Sequence, residues 1–233
     1  MVLKLYTSGM TQRRMAKVLA VSRSTIERKF LLLSALAAQA HSEWLSGQER
    51  VSLVHFDEIE TFEHTKLKPV SIALAVHART GAILGVSARP MGDKGPLASV
   101  ASQKYGPRND PSGLGIAAVL QTVARVADPR CRVVTDESPK YPPQLKRALP
   151  RATHRAVRRV PPPLAQRRRN VDDPLFALNV TAAKLRNDLS RLFSENVGHH
   201  QAHCAAPSAP HTRHRLEQRL PARALNESTT LAP

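Results

Sequence analysis

Two aspartates in this chain each stand at the end of an apolar run. The first closes Val51-Ser52-Leu53-Val54-His55-Phe56-Asp57, and the second closes Cys131-Arg132-Val133-Val134-Thr135-Asp136. Runs of this composition predict strands. A carboxylate at a strand end loses hydration unless a metal ion or a hydrogen-bond donor replaces the water. Two such carboxylates in one sheet, in a chain of net charge +17, point to a divalent-cation site that works on a phosphodiester backbone.

The charge supports that direction. Thirty-five Lys and Arg face 18 Asp and Glu in 233 residues, an excess that implies a polyanionic partner, most simply nucleic acid. Aromatic residues make up 4% of the chain, which argues against base stacking as the main mode of contact. The two cysteines, Cys131 and Cys204, form no CxxC pair, so the sequence predicts neither a zinc ribbon nor a disulfide framework. No apolar run approaches the ~20 residues of a membrane span. Met1-Val2-Leu3-Lys4 does not open a signal peptide. A cytoplasmic, nucleoid-associated protein without a membrane partner is the expectation.

Three strands are expected early, over the run ending at Asp57, over Pro69-Val70-Ser71-Ile72-Ala73-Leu74-Ala75-Val76, and over Ala82-Ile83-Leu84-Gly85-Val86. Thr80-Gly81 makes the turn between the last two. Residues 91–112 read as a loop, with a helical turn near 97–102. A helix follows over 114–126, then the strand ending at Asp136. A short helix opens at Tyr141-Pro142-Pro143, and a fifth strand falls near His154 to Val160. Asp173-Pro174 predicts the N-cap and first residue of a long helix through Phe193. Three antiparallel strands followed by alternating helices and strands is the ribonuclease H-like order. It sets the ends of the first and fourth strands side by side, so that Asp57 would meet Asp136. The expected fold is α/β: helix-turn-helix at 1–46, a ribonuclease H-like mixed-sheet domain at 51–194, and a disordered tail at 195–233.

Within residues 1–46, Thr11 and Ser22 read as N-caps of two helices joined at Ala20-Val21. Small Ala16 would allow close approach, Val21 would plug the turn, and Ile26, Phe30, Leu33 and Leu36 would share one face. This pattern matches a helix-turn-helix. Arg23, Ser24, Thr25, Arg28 and Lys29 would then face a DNA major groove; the competing reading is a surface hairpin with solvated charges. Beyond Leu31-Leu32-Leu33 the helix would serve as a stalk or homo-oligomer surface, or pack on the next domain. Trp44 would pack locally. Arg151, Arg155, Arg158, Arg159, Arg167, Arg168 and Arg169 surround Pro161-Pro162-Pro163 in a basic linker suited to phosphates, or simply to water. Histidines 199, 200, 203, 211 and 214 with Cys204 lack any pattern that would preorganise a metal site.

The chain resembles bacterial insertion-sequence transposases with a DDE catalytic domain, members of the retroviral-integrase superfamily. The resemblance rests on Ser8-Gly9-Met10-Thr11-Gln12-Arg13-Arg14-Met15-Ala16, on Val21-Ser22-Arg23-Ser24-Thr25-Ile26, and on Phe56-Asp57-Glu58-Ile59-Glu60-Thr61-Phe62. Thr135-Asp136 and the run from Leu175 to Arg186 complete it, and it spans roughly residues 1–194. It implies that Asp57 and Asp136 hold Mg²⁺ or Mn²⁺, that water or a 3′-hydroxyl attacks the backbone in line, and that the partners are double-stranded terminal repeats and target DNA. The family's third ligand is a glutamate or asparagine on the last helix. Seven residues before Arg186, that spacing lands on Asn179, with Asp173 or Asp172 as alternatives. An asparagine offers a carbonyl oxygen without charge. Arg186 would share the face of Asn179 and hold a phosphate, or else make a surface ion pair. The absence of an N-terminal cysteine-rich module, and a tail unlike the family, imply a truncated or decayed copy. The alternative is a helix-turn-helix DNA-binding protein without catalysis; a nuclease that cuts without strand transfer is a third reading.

Overall fold

The computed structural model describes residues 1–158, 173–189 and 192. The arginines at 159 and 167–169, the three prolines, Asp172 and the whole tail lie outside the described residues. Five strands form one mixed sheet: β1 (Val51–Phe62), β2 (Pro69–His77), β3 (Ile83–Pro90), β4 (Ala127–Asp136) and β5 (Thr153–Val157). Their order is β3-β2-β1-β4-β5. The first three pair antiparallel, while β1, β4 and β5 run parallel. The expected succession of three strands, then helix, strand, helix, strand and helix, is present.

Seven α-helices are present among the described residues: α1 (Val2–Thr7), α2 (Gln12–Val18), α3 (Arg23–Ser46), α4 (Ala98–Tyr105), α5 (Ser112–Val126), α6 (Tyr141–Ala148) and α7 (Phe176–Asp188). The turn foreseen near 97–102 is the start of α4, entered through a 3-10 turn at Gly95–Leu97. None of the helices is long and apolar enough to cross a membrane.

Strand alternation gives the sheet two apolar faces. On one, Val54, Phe56, Ala73, Ala75, Cys131 and Val133 pack against Ile116, Val119, Leu120 and Val123 of α5 and Tyr141 and Leu145 of α6. On the other, Ile59, Ile72, Leu74 and Val76 pack against Leu178 and Ala182 of α7. The β2–β3 turn is fixed by Gly81, whose φ of 71° favours glycine. A Cβ there would stand 2.9 Å from Thr181 Oγ1, the hydroxyl that donates to the Gly81 carbonyl at 2.9 Å. One end of the hairpin is thereby fastened to α7.

The three N-terminal helices have their own small core of Val2, Met15 and Ile26, with Leu5, Tyr6, Met10, Ala16, Leu19 and Leu33 around it. Both foreseen caps are made: Thr11 Oγ1 accepts from Arg14 N at 3.4 Å and Ser22 Oγ from Thr25 N at 3.1 Å. Two expectations are corrected. Val21 is 40% exposed and Leu36 53% exposed; α1 covers the helical pair in place of a plug at Val21. The far end of α3 packs on the sheet domain, where Leu45 joins the α5–α6 core and His41 Nε2 donates to the Ile83 carbonyl at 2.8 Å. Trp44 stacks on His41 at 5.9 Å.

The start of the last helix is also corrected. Its N-cap is Leu175, not Asp173. Asp173 Oδ1 accepts from Leu175 N at 2.9 Å, closing a turn just before the helix, and its Oδ2 is taken by another side chain.

Candidate catalytic carboxylate site

The register of β1 and β4 pairs His55 with Val134. Two residues further along each strand stand Asp57 and Asp136, on the same face by alternation. β4 stops at Asp136 whereas β1 runs on to Phe62, so the pair sits where the parallel ladder ends.

The hydrogen bonds on these two groups are one-sided. Asp57 Oδ1 accepts from Glu58 N at 2.7 Å and from the Tyr141 hydroxyl at 3.1 Å. Asp136 Oδ1 accepts from Ser138 N at 2.9 Å. Neither Oδ2 accepts a hydrogen bond from the described residues, and neither carboxylate has an ion-pair partner among them. Burial pushes the Asp57 carboxyl up to about 6, and the Asp136 charge beside it adds to the shift. The bonds from Glu58 N and Tyr141 work against it. Two neighbouring acids with one half-buried need either a proton or a cation between them.

Helix α7 supplies the third side of the site. Leu178 and Ala182 lie on the sheet and Thr181 reaches the β2–β3 turn. At 100° per residue, Asn179 and Arg186 then share a stripe on the flank away from that turn, toward β1 and β4. The electrostatics agree. Burial lowers the Arg186 guanidinium, and the Asp57 carboxylate opposes that lowering. Arg186 Nε is buried without a hydrogen-bond partner among the described residues. Asn179 is exposed and donates from Nδ2 to Asp173 Oδ2 at 2.7 Å. Asp173 thus holds the amide by its nitrogen and leaves its carbonyl oxygen on the other arm.

Two neighbouring carboxylates are donors of the kind a hard divalent cation takes. Among the described residues no group of three or more His, Cys, Asp or Glu is placed to hold a metal ion. Glu58 shares the Tyr141 hydroxyl beside Asp57, and Asp173 is engaged by Leu175 N and Asn179 Nδ2.

At the proposed DNA-facing end of α3, the exposed residues divide. Arg23 is tied to Glu27 at 2.8 Å, and the hydroxyls of Ser24 and Thr25 each bond that of Ser22 at 2.8 Å. Arg28 and Lys29 are exposed and have no ion pair among the described residues. Arg151, Arg155 and Arg158 are also exposed.

Sequence reasoning missed Tyr141, Glu58 and His55 as neighbours of the site. His55 is buried, and its Nδ1 has no hydrogen-bond partner among the described residues. Burial lowers its pKa while Asp173 pulls it back. The readable signal for His55 was its spacing two residues before Asp57, which places it on the same face. No protein-family model matches the chain, and no curated protein matches it.

Proposed function

We propose that this protein is a DDE-type transposase that binds element-end DNA through its N-terminal helices and cleaves and joins DNA at Asp57 and Asp136. The observation that carries this reading is the pair of adjacent carboxylates, each held by Oδ1 and each leaving Oδ2 without a hydrogen bond among the described residues. Bound Mg²⁺ or Mn²⁺ would activate the attacking oxygen and stabilise the leaving oxygen of an in-line displacement. Asp57 and Asp136 would hold the cations, which calls for Asp57 to be deprotonated. Asn179, whose Nδ2 is held by Asp173, would offer its amide oxygen. Arg186, on the same helix flank, is placed to meet a phosphate. The partner is double-stranded DNA of the nucleoid, as terminal repeats and as target.

The test is a supercoiled plasmid carrying the element's terminal repeats, incubated with the full chain and Mg²⁺. Nicking at the repeat ends, and joining of pre-cut ends to target, is the expected result. Nicking without joining would make the protein a nuclease of the same fold. A second reading, a DNA-binding protein without catalysis, is favoured by one observation: no group of three or more His, Cys, Asp or Glu is placed to hold a metal ion among the described residues. Sequence-specific binding with no Mg²⁺-dependent cleavage would establish it. The neutral Asn179 at the position where the family carries its third ligand would go with a decayed copy.

Two variants probe the parts separately. Arg28→Ala should weaken binding to repeat DNA about tenfold and reduce the salt slope by about 1, as for one lost phosphate contact. An unchanged affinity and slope in a salt titration would remove α3 from the interface. Asn179→Glu by itself sets a carboxylate against Asp173, because the present contact is a 2.7 Å amide–carboxylate bond. Combined with Asp173→Asn, it should raise Mn²⁺ affinity about tenfold by calorimetry. No gain in the folded double variant would exclude position 179 as a ligand.

A further inference from the structure

Tyr141 opens α6 five residues after Asp136, and only 2% of it is exposed. Its ring meets Phe56 edge-on at 5.1 Å within the α5–α6 core. Its hydroxyl emerges at the carboxylates, 3.1 Å from Asp57 Oδ1 and 3.4 Å from Glu58 Oε2. Glu58 is held in turn by the Ser71 hydroxyl on Oε1. The turn that delivers Tyr141 also holds the other carboxylate: Ser138 N donates to Asp136 Oδ1 at 2.9 Å, and Tyr141 N donates to the Ser138 carbonyl at 3.2 Å. One six-residue segment thereby anchors both acids, each through Oδ1.

From this geometry we infer that Tyr141 is a positioning residue for cation binding, fixing the Asp57 carboxylate so that Oδ2 is presented to the metal. The inference rests on the reading of Asp57 and Asp136 as metal ligands. A phenol has one proton and here two acceptors, Asp57 and Glu58. The shorter contact assigns the proton to Asp57. Glu58 is itself tied to Ser71 through Oε1 and leaves Oε2 at the longer 3.4 Å from the phenol. Because the ring is locked by the core, the hydroxyl's position is set by packing and not by the carboxylate it serves. A ligand whose orientation is imposed in advance loses less freedom on binding metal, and partners of this kind are commonly worth 10–100-fold in metal affinity.

The experiment uses the full chain and Mn²⁺ alone, followed by titration calorimetry and by the paramagnetic resonance of free Mn²⁺. Tyr141→Phe keeps the ring and its contact with Phe56, and removes only the oxygen. It should weaken Mn²⁺ binding at least about tenfold. In the cleavage assay the Mn²⁺ concentration for half-maximal rate should rise accordingly, with the rate at saturating Mn²⁺ nearer to that of the unaltered chain. Glu58→Gln should bind Mn²⁺ as tightly as the unaltered chain or more tightly, since the phenol proton then has only one charged acceptor. If Tyr141→Phe and the unaltered chain share one Mn²⁺ affinity, the positioning role is overturned while the metal site stands. If Glu58→Gln loses tenfold or more, Glu58 is itself a ligand and the role assigned to Tyr141 is overturned. If the unaltered chain shows no Mn²⁺ uptake that Asp57→Asn removes, the metal reading fails and this inference fails with it. Should Tyr141→Phe not fold, Glu58→Gln alone decides between the two roles.

Discussion

Asp136→Asn, and equally Asp57→Asn, should lower Mg²⁺-dependent nicking by about a thousandfold or more while leaving affinity for repeat DNA within about threefold. Removing one of two charged ligands forfeits several kcal/mol of transition-state stabilisation, and about 4 kcal/mol is a factor of about a thousand in rate. Among the described residues no group of three or more His, Cys, Asp or Glu is placed to hold a metal ion, so the lost ligand has no ready substitute. Binding should survive because the N-terminal helices are held by a separate core of Val2, Met15 and Ile26. Plasmid nicking and a gel-shift titration on the same preparations check both halves. Loss of binding together with cleavage would mean that the two aspartates maintain the fold and not the chemistry.

The second large effect concerns stability. With its pKa at about 6 against 3.8 for the ordinary side chain, Asp57 holds its proton more tightly in the folded chain than in the unfolded one. Below about pH 4 the group is protonated in both states and costs nothing. As pH rises through about 6 the folded chain must ionise it in a poorly hydrated place beside Asp136. At about 1.4 kcal/mol per pH unit of displacement, roughly 3 kcal/mol of stability is lost. Asp57→Asn carries no such cost, and its Oδ1 can still accept from Glu58 N and Tyr141. Without metal, the variant should be more stable than the unaltered chain by about 3 kcal/mol at pH 8, and the difference should vanish near pH 4. Mg²⁺ should narrow the gap at pH 8 by stabilising only the unaltered chain. Urea denaturation at several pH values measures it. A pH-independent difference, or a less stable variant, would show that Asp57 is already neutralised by the protein itself.

The aspartates were legible because they depend on short-range facts: an apolar run, a period of two, and an acid at its end. The succession of strands followed from the spacing of those runs, while the adjacency of the first and fourth rested on likeness to a known arrangement. Three features could not be read that way. Asp173-Pro174 has the composition of a helix start, yet α7 begins at Phe176, because the Asp173 oxygens are engaged by Leu175 N and Asn179 Nδ2. That competition between side chain and backbone is decided by tertiary placement. Val21 looked like a core plug only because nothing in local sequence shows that α1 folds back to cover α2 and α3. Tyr141 was overshadowed by the two prolines after it, and its role depends on a ring in one layer carrying a hydroxyl to another.

Helix α3 has one consequence for the geometry of the whole molecule. Its first turns are buried at Ile26 in the N-terminal core and its last at Leu45 in the core of the sheet. Nineteen residues separate these two anchors, about 28 Å at 1.5 Å per residue, and no proline or glycine interrupts the helix between them. Such a rod behaves as a ruler: it neither stretches nor bends easily, and it transmits angle as well as length. A DNA duplex gripped at Arg28 would therefore be held at a fixed distance and angle from the sheet that carries the carboxylates. The place of the cut would be measured out by the protein's own length.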